Sequence, residues 1–243
     1  YTYGESKSIN SATSSVAYSN WRYNETTGNS NAPELSVSDY SIPHRIVASL
    51  SYGKEYAKRF KSTVSLVYTG QSGAPYNVTY YGDLNGDCSN GNDLVFIPTD
   101  EQIDAMQFKA TAKLDADQQK ADLKAFLGSA KYLKDHRGEY YERNSDRMSF
   151  EHHFDFRFLQ DFKFRVAKET HTLQFSVDIM NVGNLLNRKW GLESYMSNNS
   201  YSPITYSKGG EFQYTQGDKY DPFKEISNIS SRWRCQLGLR YIF

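Results

Sequence analysis

The amino-acid sequence predicts an all-β protein, an antiparallel transmembrane β-barrel segment of about six strands with long outer loops. Three observations predict it. Stretches of alternating apolar and polar residues recur, long and short connectors alternate between them, and 15% of the residues are aromatic although the mean hydropathy is −0.71. Twenty of these residues are tyrosines, whose apolar ring and polar hydroxyl suit a membrane interface.

The last strand shows the alternation most clearly. Residues 231–243 read SRWRCQLGLRYIF, and successive side chains of a strand point to opposite faces. One face therefore carries the apolar residues Trp233, Cys235, Leu237, Leu239, Tyr241 and Phe243. The other carries Arg232, Arg234 and Arg240. One apolar face and one charged face fit a wall between lipid and water.

Strands of the same kind are expected at about 1–9, 44–52, 61–70, 150–165, 171–182 and 231–243. The long connectors between them span 10–43, 71–148 and 185–230, and the other connectors are short. Outer-membrane barrels have this layout, with short periplasmic turns and long extracellular loops. We therefore expect the C-terminus to be periplasmic and the long loops to be extracellular.

About six strands are too few to close a membrane barrel, because the smallest have about eight. Unpaired strand edges in lipid cost several kcal/mol per unsatisfied group. The chain is therefore expected to be an incomplete barrel wall. It starts without Met or a leader segment, which predicts a mature product or a fragment.

Helical patterns occur within the connector 71–148. Thr99 and Gln102 fit a capping box ahead of the apolar stripe Ile103, Met106 and Ala110. Asp115 is expected to cap a second helix that ends near Gly128, with Leu123, Phe126 and Leu127 on its apolar side. We therefore expect this outer loop to be folded.

Composition excludes several classes of protein. Lys and Arg together number 28, as do Asp and Glu, so there is no basic surplus to bind nucleic acid. No apolar run is long enough for a transmembrane helix, although alternating barrel strands escape that test. Cys88 and Cys235 lie in unrelated segments and are not expected to pair.

Several sequence blocks are similar to a known family. They are TYGESKSIN, SSVAYSNWRYN, HRIVASLSY, YTGQSGAPY, GDLNGDCSNGNDLVFIPTD, DIMNVGNLLNRKWG and GLRYIF. In that order they resemble the C-terminal barrel region of TonB-dependent outer-membrane receptors of the Oar-like and SusC-like type. The resemblance implies a 22-stranded barrel closed by an N-terminal plug, and the plug is absent from these residues.

The resemblance also implies a function and partners. Such receptors import a nutrient, for example an oligosaccharide, peptide or metal chelate, with energy from the TonB complex. Implied partners are outer-membrane lipid, the rest of the barrel and its plug, a SusD-like surface lipoprotein, and the barrel-assembly machinery. That machinery would read the final signal at Trp233, Leu237, Leu239, Tyr241 and Phe243. The alternatives are a scaffold barrel that binds a surface lipoprotein and, third, an outer-membrane hydrolase.

An acidic loop has two interpretations. Oxygen ligands stand at alternate positions, in the spacing of calcium loops, at Asp83, Asn85, Asp87, Ser89 and Asp93. However, Cys88 and Leu94 replace the turn glycine and the bidentate glutamate of an EF-hand. The loop either binds Ca²⁺, the one cofactor considered, or caps its own backbone through Asx turns.

The polar faces of the strands also have two interpretations. Nine residues are expected to face the lumen: Arg45, Asp155, Arg157, Asp161, Lys163, Asp178, Arg232, Arg234 and Arg240. They could bind an anionic solute or the plug, or form a ladder of ion pairs between neighbouring strands, which is the favoured interpretation.

Loop aromatics are the remaining candidates for ligand contact. Trp21, Tyr23, Tyr76, Tyr80 and Tyr81, with five further loop tyrosines, could stack on sugar rings or pack the loops together. His152 and His153 point to opposite faces of a strand and cannot share a metal ion. GQSGA at 70–74 lacks the G-x-S-x-G spacing of a nucleophile elbow. No catalytic residue is expected, so the protein is not predicted to be an enzyme.

Overall fold

The computed structural model describes residues 1–196, 199–207, 209–214, 224–225, 229 and 231–243. It is mostly β, with 43% strand and 17% helix, and no closed barrel forms within these residues. The strands are β1 (Thr2–Tyr3), β2 (Lys7–Ser8), β3 (Ser36–Val37), β4 (His44–Tyr56), β5 (Phe60–Gln71), β6 (Pro75–Tyr81), β7 (Phe96–Ile97), β8 (Glu139–Tyr140), β9 (Asp146–Arg147), β10 (Glu151–Val166), β11 (Glu169–Met180), β12 (Ser194–Tyr195), β13 (Ser200–Tyr206), β14 (Phe212–Tyr214), β15 (Lys224–Glu225) and β16 (Arg234–Ile242). The helices are α1 (Ala17–Arg22), α2 (Asp100–Ala105), α3 (Ala116–Ser129), α4 (Lys131–Asp135) and α5 (Val182–Leu186).

The largest sheet, called the wall below, has the order β1-β4-β5-β10-β11-β16. Every neighbouring pair is antiparallel. Its strands include residues of all six expected segments, but their bounds differ. β4 extends to Tyr56 because the turn to β5 is tight, with Ala57 and Lys58 at positive φ. β1 is shorter than expected, because Lys7 and Ser8 pair with β3 in the first long connector instead.

The register of the wall places its apolar side chains on one face. Leu50, Leu66, Phe156, Ile179 and Cys235 form one row across β4, β5, β10, β11 and β16. The row and its neighbours are open to the surroundings, since the side chains of Leu50, Leu237 and Leu239 are 72%, 66% and 72% exposed. An exposed apolar patch that extends across five neighbouring strands marks contact with a membrane or a partner.

The buried hydrophobic core lies outside the wall, in the long connectors. We call this part the loop subdomain. It is built around a sheet of order β14-β13-β6-β9, in which β13 runs parallel to β6. Its buried core consists of Tyr76, Val78, Tyr80, Leu94, Val95, Ile97, Ile103, Leu123, Leu127, Leu133, Tyr141, Met148, Met196, Tyr201, Ile204 and Tyr214.

The sequence analysis missed the strands of the loop subdomain. It anticipated only helices within 71–148, whereas β6 spans Pro75–Tyr81. Two of its neighbours, β9 and β13, come from the far end of this connector and from the third long connector. Short strands that pair across such distances in sequence leave no local hairpin signal.

Both predicted helix starts are confirmed, but α2 is shorter than expected: it ends at Ala105 because Met106 is extended, so Met106 and Ala110 of the predicted stripe lie beyond it. The Thr99 side chain accepts a hydrogen bond from Gln102 N, and the Gln102 side chain accepts one from Thr99 N. Asp115 caps α3 by accepting from Gln118 N at 2.7 Å. The apolar side of α3 packs into the core through Leu123 and Leu127. The two cysteines are free, as expected.

Two substitutions in α3 are expected to act in opposite directions. Leu123→Ala removes a fully buried side chain and should destabilise the loop subdomain by about 2–5 kcal/mol. Gly128→Ala adds a methyl group into open space in the same helix and should stabilise it by about 0.4–1 kcal/mol. Hydrogen exchange of the α3 amides in the full-length protein measures both. Equal exchange in the two variants would contradict this packing.

Candidate functional site

Ion pairs and hydrogen bonds connect the middle strands across the polar face of the wall. Arg157 on β10 lies opposite Asp178 on β11, with 3.1 Å between Arg157 Nε and Asp178 Oδ1. Gln174 Nε2 donates to Asp161 Oδ1 at 2.8 Å in the same strand pair. Asp155 Oδ1 accepts from the backbone N of Asn181 at 2.8 Å, where β11 ends. These contacts are those of the ladder interpretation.

A second cross-strand pair lies near the short turns. Lys163 Nζ is 2.5 Å from Glu55 Oε1, so an ion pair spans from β10 to β4.

Four arginines toward the two sides of the wall contrast with these paired residues. Among the described residues, no ion pair includes Arg45, Arg232, Arg234 or Arg240. Arg234 and Arg240 lie on β16, at one edge of the wall, and Arg45 lies on β4 opposite Thr2 of β1.

The adjacent histidines point to opposite faces of β10, as the alternation predicts. His152 lies on the apolar face, with its Nδ1 2.8 Å from the hydroxyl of Tyr68. His153 lies on the polar face, with its Nε2 3.8 Å from Glu193 Oε1. The two rings therefore take part in different contacts and share no site.

Aromatic side chains border the apolar face at both ends. The loop-side belt consists of Tyr1, Tyr3, His44, Tyr68, His152 and Phe154, and the turn-side belt of Tyr56, Phe60, Phe162, Phe164, His171 and Tyr241. Tyrosine–histidine hydrogen bonds recur in both belts. They join Tyr1 to His44 at 2.8 Å and Tyr241 to His171 at 2.6 Å.

The acidic loop uses its own carboxylate oxygens. Asp83 Oδ1 accepts from the backbone N of Gly86 and Asp87, at 2.7 and 3.0 Å, and its Oδ2 accepts from Cys88 N at 3.0 Å. Asp87 Oδ1 accepts from Ser89 N at 2.7 Å. These bonds are the Asx-turn contacts of the second interpretation of this loop.

The other side of the acidic loop is tied to the first long connector. Asp87 Oδ2 accepts from Asn92 Nδ2 at 3.0 Å and from the hydroxyl of Ser30. Partial burial acts to raise the pKa of Asp87, but the hydrogen bonds outweigh it and hold the pKa below its usual value. Burial and the nearby Asp87 and Asp83 raise the pKa of Asp93. Among the described residues, no group of three or more His, Cys, Asp and Glu side chains is arranged to hold a metal ion.

The loop aromatics divide into two sets. Tyr76 and Tyr80 are buried in the core of the loop subdomain, so they pack the loops together, which was the second interpretation, and present no surface to a ligand. Burial raises the pKa of Tyr80 to about 12. Trp21 lies on α1, where its Nε1 donates to Asn31 Oδ1 at 3.1 Å. Tyr23 and Tyr81 are 70% and 62% exposed.

Tyr23 and Tyr81 line the same cavity, called the cleft below. Its volume is about 520 Å³, and its lining comes from all three long connectors: Thr13, Arg22, Tyr23, Glu25, Tyr81, Asn90, Gly91, Asn92, Ser200 and Ser202. The guanidinium of Arg22 lies 5.5 Å from the ring centre of Tyr23. Small-molecule sites combine aromatic surface with a few polar groups that orient the ligand, and the cleft contains both kinds of side chain.

Two polar atoms of the cleft residues are buried without a hydrogen-bond partner among the described residues. They are the donor Arg22 Nε and the acceptor Asn92 Oδ1. A buried unpaired group costs about 1–3 kcal/mol. Neither atom has surface open to the cleft, so this cost is carried by the polar packing behind the cleft wall.

Glu25 lies between the cleft and a smaller cavity. Its Oε1 accepts from Ser200 Oγ at 2.5 Å, which joins the first and third long connectors. Loss of water around the carboxyl raises the pKa of Glu25, Asp39 adds to the rise, and Ser200 and Arg143 oppose it. The side chain therefore favours its neutral form more than a free glutamate does.

Arg143 holds the same region from the second connector. It is buried, its Nη1 donates to Ile9 O at 2.8 Å and also to Asn24 Oδ1, and its Nη2 donates to Ser8 O. Burial lowers the pKa of Arg143, and the nearby acids partly restore it. One guanidinium thus fastens the first connector onto the second.

The sequence analysis did not identify Arg22, Glu25, Asn92 or Ser200 as site residues. Only Asn92 stood in a recognised motif, because it lies within the acidic loop, next to Asp93. The others come from polar connector sequence in which nothing distinguishes them from solvent-exposed residues. Ser72 of the GQSGA segment is buried at the end of β5, where its backbone N donates to His44 O at 2.9 Å.

Comparison with known proteins identifies no relative. No protein-family model matches the chain, and no curated protein or solved structure matches it significantly. None of the described helices is long and apolar enough to cross a membrane.

The stability of the cleft is expected to depend on pH through Glu25. Because the pKa of Glu25 is raised in the folded protein, its protonated form stabilises the fold relative to the unfolded chain. This contribution to stability is complete below the unfolded-state pKa of about 4.5 and is lost as the pH rises through the folded-state pKa of Glu25. The first connector should therefore be cut faster by a protease at pH 8 than at pH 5. Glu25→Gln should remove this difference, whereas Glu34→Gln, an exposed change in the same connector, should retain it. A Glu25→Gln protein with wild-type pH dependence would contradict the assignment.

Proposed function

We propose that this chain forms barrel wall and outer loops of a TonB-dependent active transporter of the bacterial outer membrane that imports a nutrient. The observation that carries the proposal is the two-faced wall, which has an exposed apolar face between two aromatic belts and a charged opposite face. The long connectors leave the wall at one end and the short turns at the other. Membrane barrels have the same division of faces and of connector lengths.

The spacing of the belts supports a membrane wall. His152 and Phe164 lie on β10, and at about 3.3 Å per residue they are about 40 Å apart along the strand. A barrel strand tilts by about 35–45°, which reduces this to about 28–33 Å across the membrane. That distance encloses the apolar band of about 25 Å that aromatic girdles flank in such barrels.

A polar cluster on the apolar face is fully paired, as a lipid environment requires. Gln160 Oε1 accepts from Ser62 Oγ at 2.6 Å and from the Tyr56 hydroxyl at 3.0 Å. Its Nε2 donates to the carbonyls of Lys61 and Asp161, at 3.3 and 3.1 Å. Polar groups that face lipid are tolerated when each is satisfied within the protein.

The edges of the wall support further strands beside it. Within the described residues, β16 has a single neighbour, β11, and β4 pairs with β1 only at His44 and Arg45. Backbone groups left unpaired in lipid cost several kcal/mol each, so additional strands of the same barrel would satisfy both edges. Arg234 and Arg240 lie on the edge strand β16, where further strands or a plug would place acidic partners beside them.

In this proposal the cleft captures the solute. Its two exposed tyrosines supply stacking surfaces, and the polar lining residues, among them Thr13, Asn90 and Ser202, supply hydrogen-bonding groups. The chain contributes binding and transport rather than catalysis. TonB would provide energy through a plug, and the barrel-assembly machinery would read the final strand.

The membrane wall is tested by two neighbouring substitutions on β16. Leu237→Arg places a charge on the apolar face near mid-bilayer and should cost about 2–4 kcal/mol. Gln236→Arg places the same charge on the polar face and should cost far less. Unfolding of the full-length protein refolded into lipid vesicles measures both. Equal effects would mean that the faces are wrongly assigned.

The capture role is tested by solute binding and uptake. Tyr81→Ala should weaken binding of the transported solute by about 2- to 13-fold, because it removes a stacking surface worth about 0.5–1.5 kcal/mol. Tyr40→Ala, which removes an exposed loop tyrosine outside the cleft, should leave affinity unchanged. Uptake by intact cells should stop when the TonB complex is inactivated. Binding without TonB-dependent uptake would favour a scaffold receptor instead.

A further inference from the structure

A second cavity opens on the apolar side of the wall, beside the loop-side belt. Its volume is about 650 Å³, and we call it the rim groove. It is lined by Ser149, Phe150, His152, Phe154, Gly183, Lys189, Trp190, Gly191, Leu192 and Ser194. Since His152 and Phe154 lie on the same face as Phe156, the groove adjoins the exposed apolar band and not the polar face of the wall.

The segment above the groove is held in place by two asparagines. Asn181 Nδ2 donates to Gly191 O at 2.7 Å, and Asn184 Nδ2 donates to the carbonyls of Trp190 and Arg188, at 3.0 and 3.2 Å. Gly191 has a φ of +61°, and a Cβ there would overlap the Asn181 side chain. The turn that carries Lys189 and Trp190 is therefore held in one conformation by these hydrogen bonds and by Gly191.

The groove combines an apolar lining with one cation. Phe150, Phe154 and Trp190 present exposed ring surface, and Trp190 alone is 56% exposed. Lys189 is exposed at the groove, and no ion pair of the described residues includes it. His152 does not compete for an anion through Nδ1, which is bonded to Tyr68.

We propose that the rim groove binds a phosphorylated lipid, with one acyl chain against the aromatic lining and the phosphate at Lys189. The inference rests on the proposed function, because only a membrane wall brings lipid to this face. The position at the loop-side belt places the groove where headgroups meet acyl chains, and the unpaired lysine complements a negative headgroup. A neutral lipid would fill the apolar part and leave Lys189 without a partner.

Brominated lipids test the proposal through tryptophan fluorescence. The full-length protein is placed in vesicles of phosphatidylcholine with increasing brominated phosphatidylglycerol, or with brominated phosphatidylcholine as the neutral probe. The contribution of Trp190 is the difference between wild type and Trp190→Phe. We expect Trp190 to favour the anionic probe by about fivefold, as one lysine near an anionic headgroup provides.

Matched variants assign the preference to the groove. Lys189→Gln should abolish it, whereas Lys58→Gln, in the turn between β4 and β5, should retain it. Equal quenching by both probes, or a preference that survives Lys189→Gln, would overturn the lipid site and leave the membrane wall intact. Trp233, also on the apolar face, reports insertion separately. If neither Trp190 nor Trp233 is quenched by any brominated lipid, the membrane wall and the lipid site both fail.

Discussion

The antiparallel register of the wall is the constraint on which the other features depend. Because the pairing is continuous from β4 to β16, Leu50, Phe156 and Cys235 fall in one row, and the charged side chains fall on the opposite face. A slip of one residue in any strand would turn its apolar residues to the charged side. The same register brings Arg157 opposite Asp178, so ion pairing and apolar segregation specify one alignment.

Two parts of this chain are stabilised in different ways. The loop subdomain has a buried core, in which side chains such as Leu123 and Tyr141 are shielded from solvent, and it follows the rules of a soluble domain. The wall has no comparable core within the described residues, since its apolar side chains point outward. Its stability therefore comes from backbone pairing, from cross-strand contacts and, as we propose, from lipid. This explains why low mean hydropathy and abundant aromatics occur together.

Asn181 and Asn184 connect these two parts. Asn181 directly follows β11. Its backbone N donates to Asp155 Oδ1 of the wall, and its side-chain Nδ2 donates to Gly191 O in the third long connector. Asn184 Nδ2 donates to Trp190 O, and Asn184 Oδ1 accepts from Trp233 N, directly before β16 begins. The block DIMNVGNLLNRKWG thus supplies a structural junction. Its hydrogen bonds give physical reasons for the two asparagines and for Gly191.

The sequence alone determined the two faces of the wall and the two capped helices, because strand alternation and helix capping depend on residues close together in the chain. The tertiary structure decided the rest. It buried Tyr80 and left Tyr81 exposed, and it gathered Arg22, Asn92 and Ser200 into one cleft. These residues belong to three separate connectors, so their meeting depends on long-range pairing such as that of β6 with β13. No local pattern encodes such pairing.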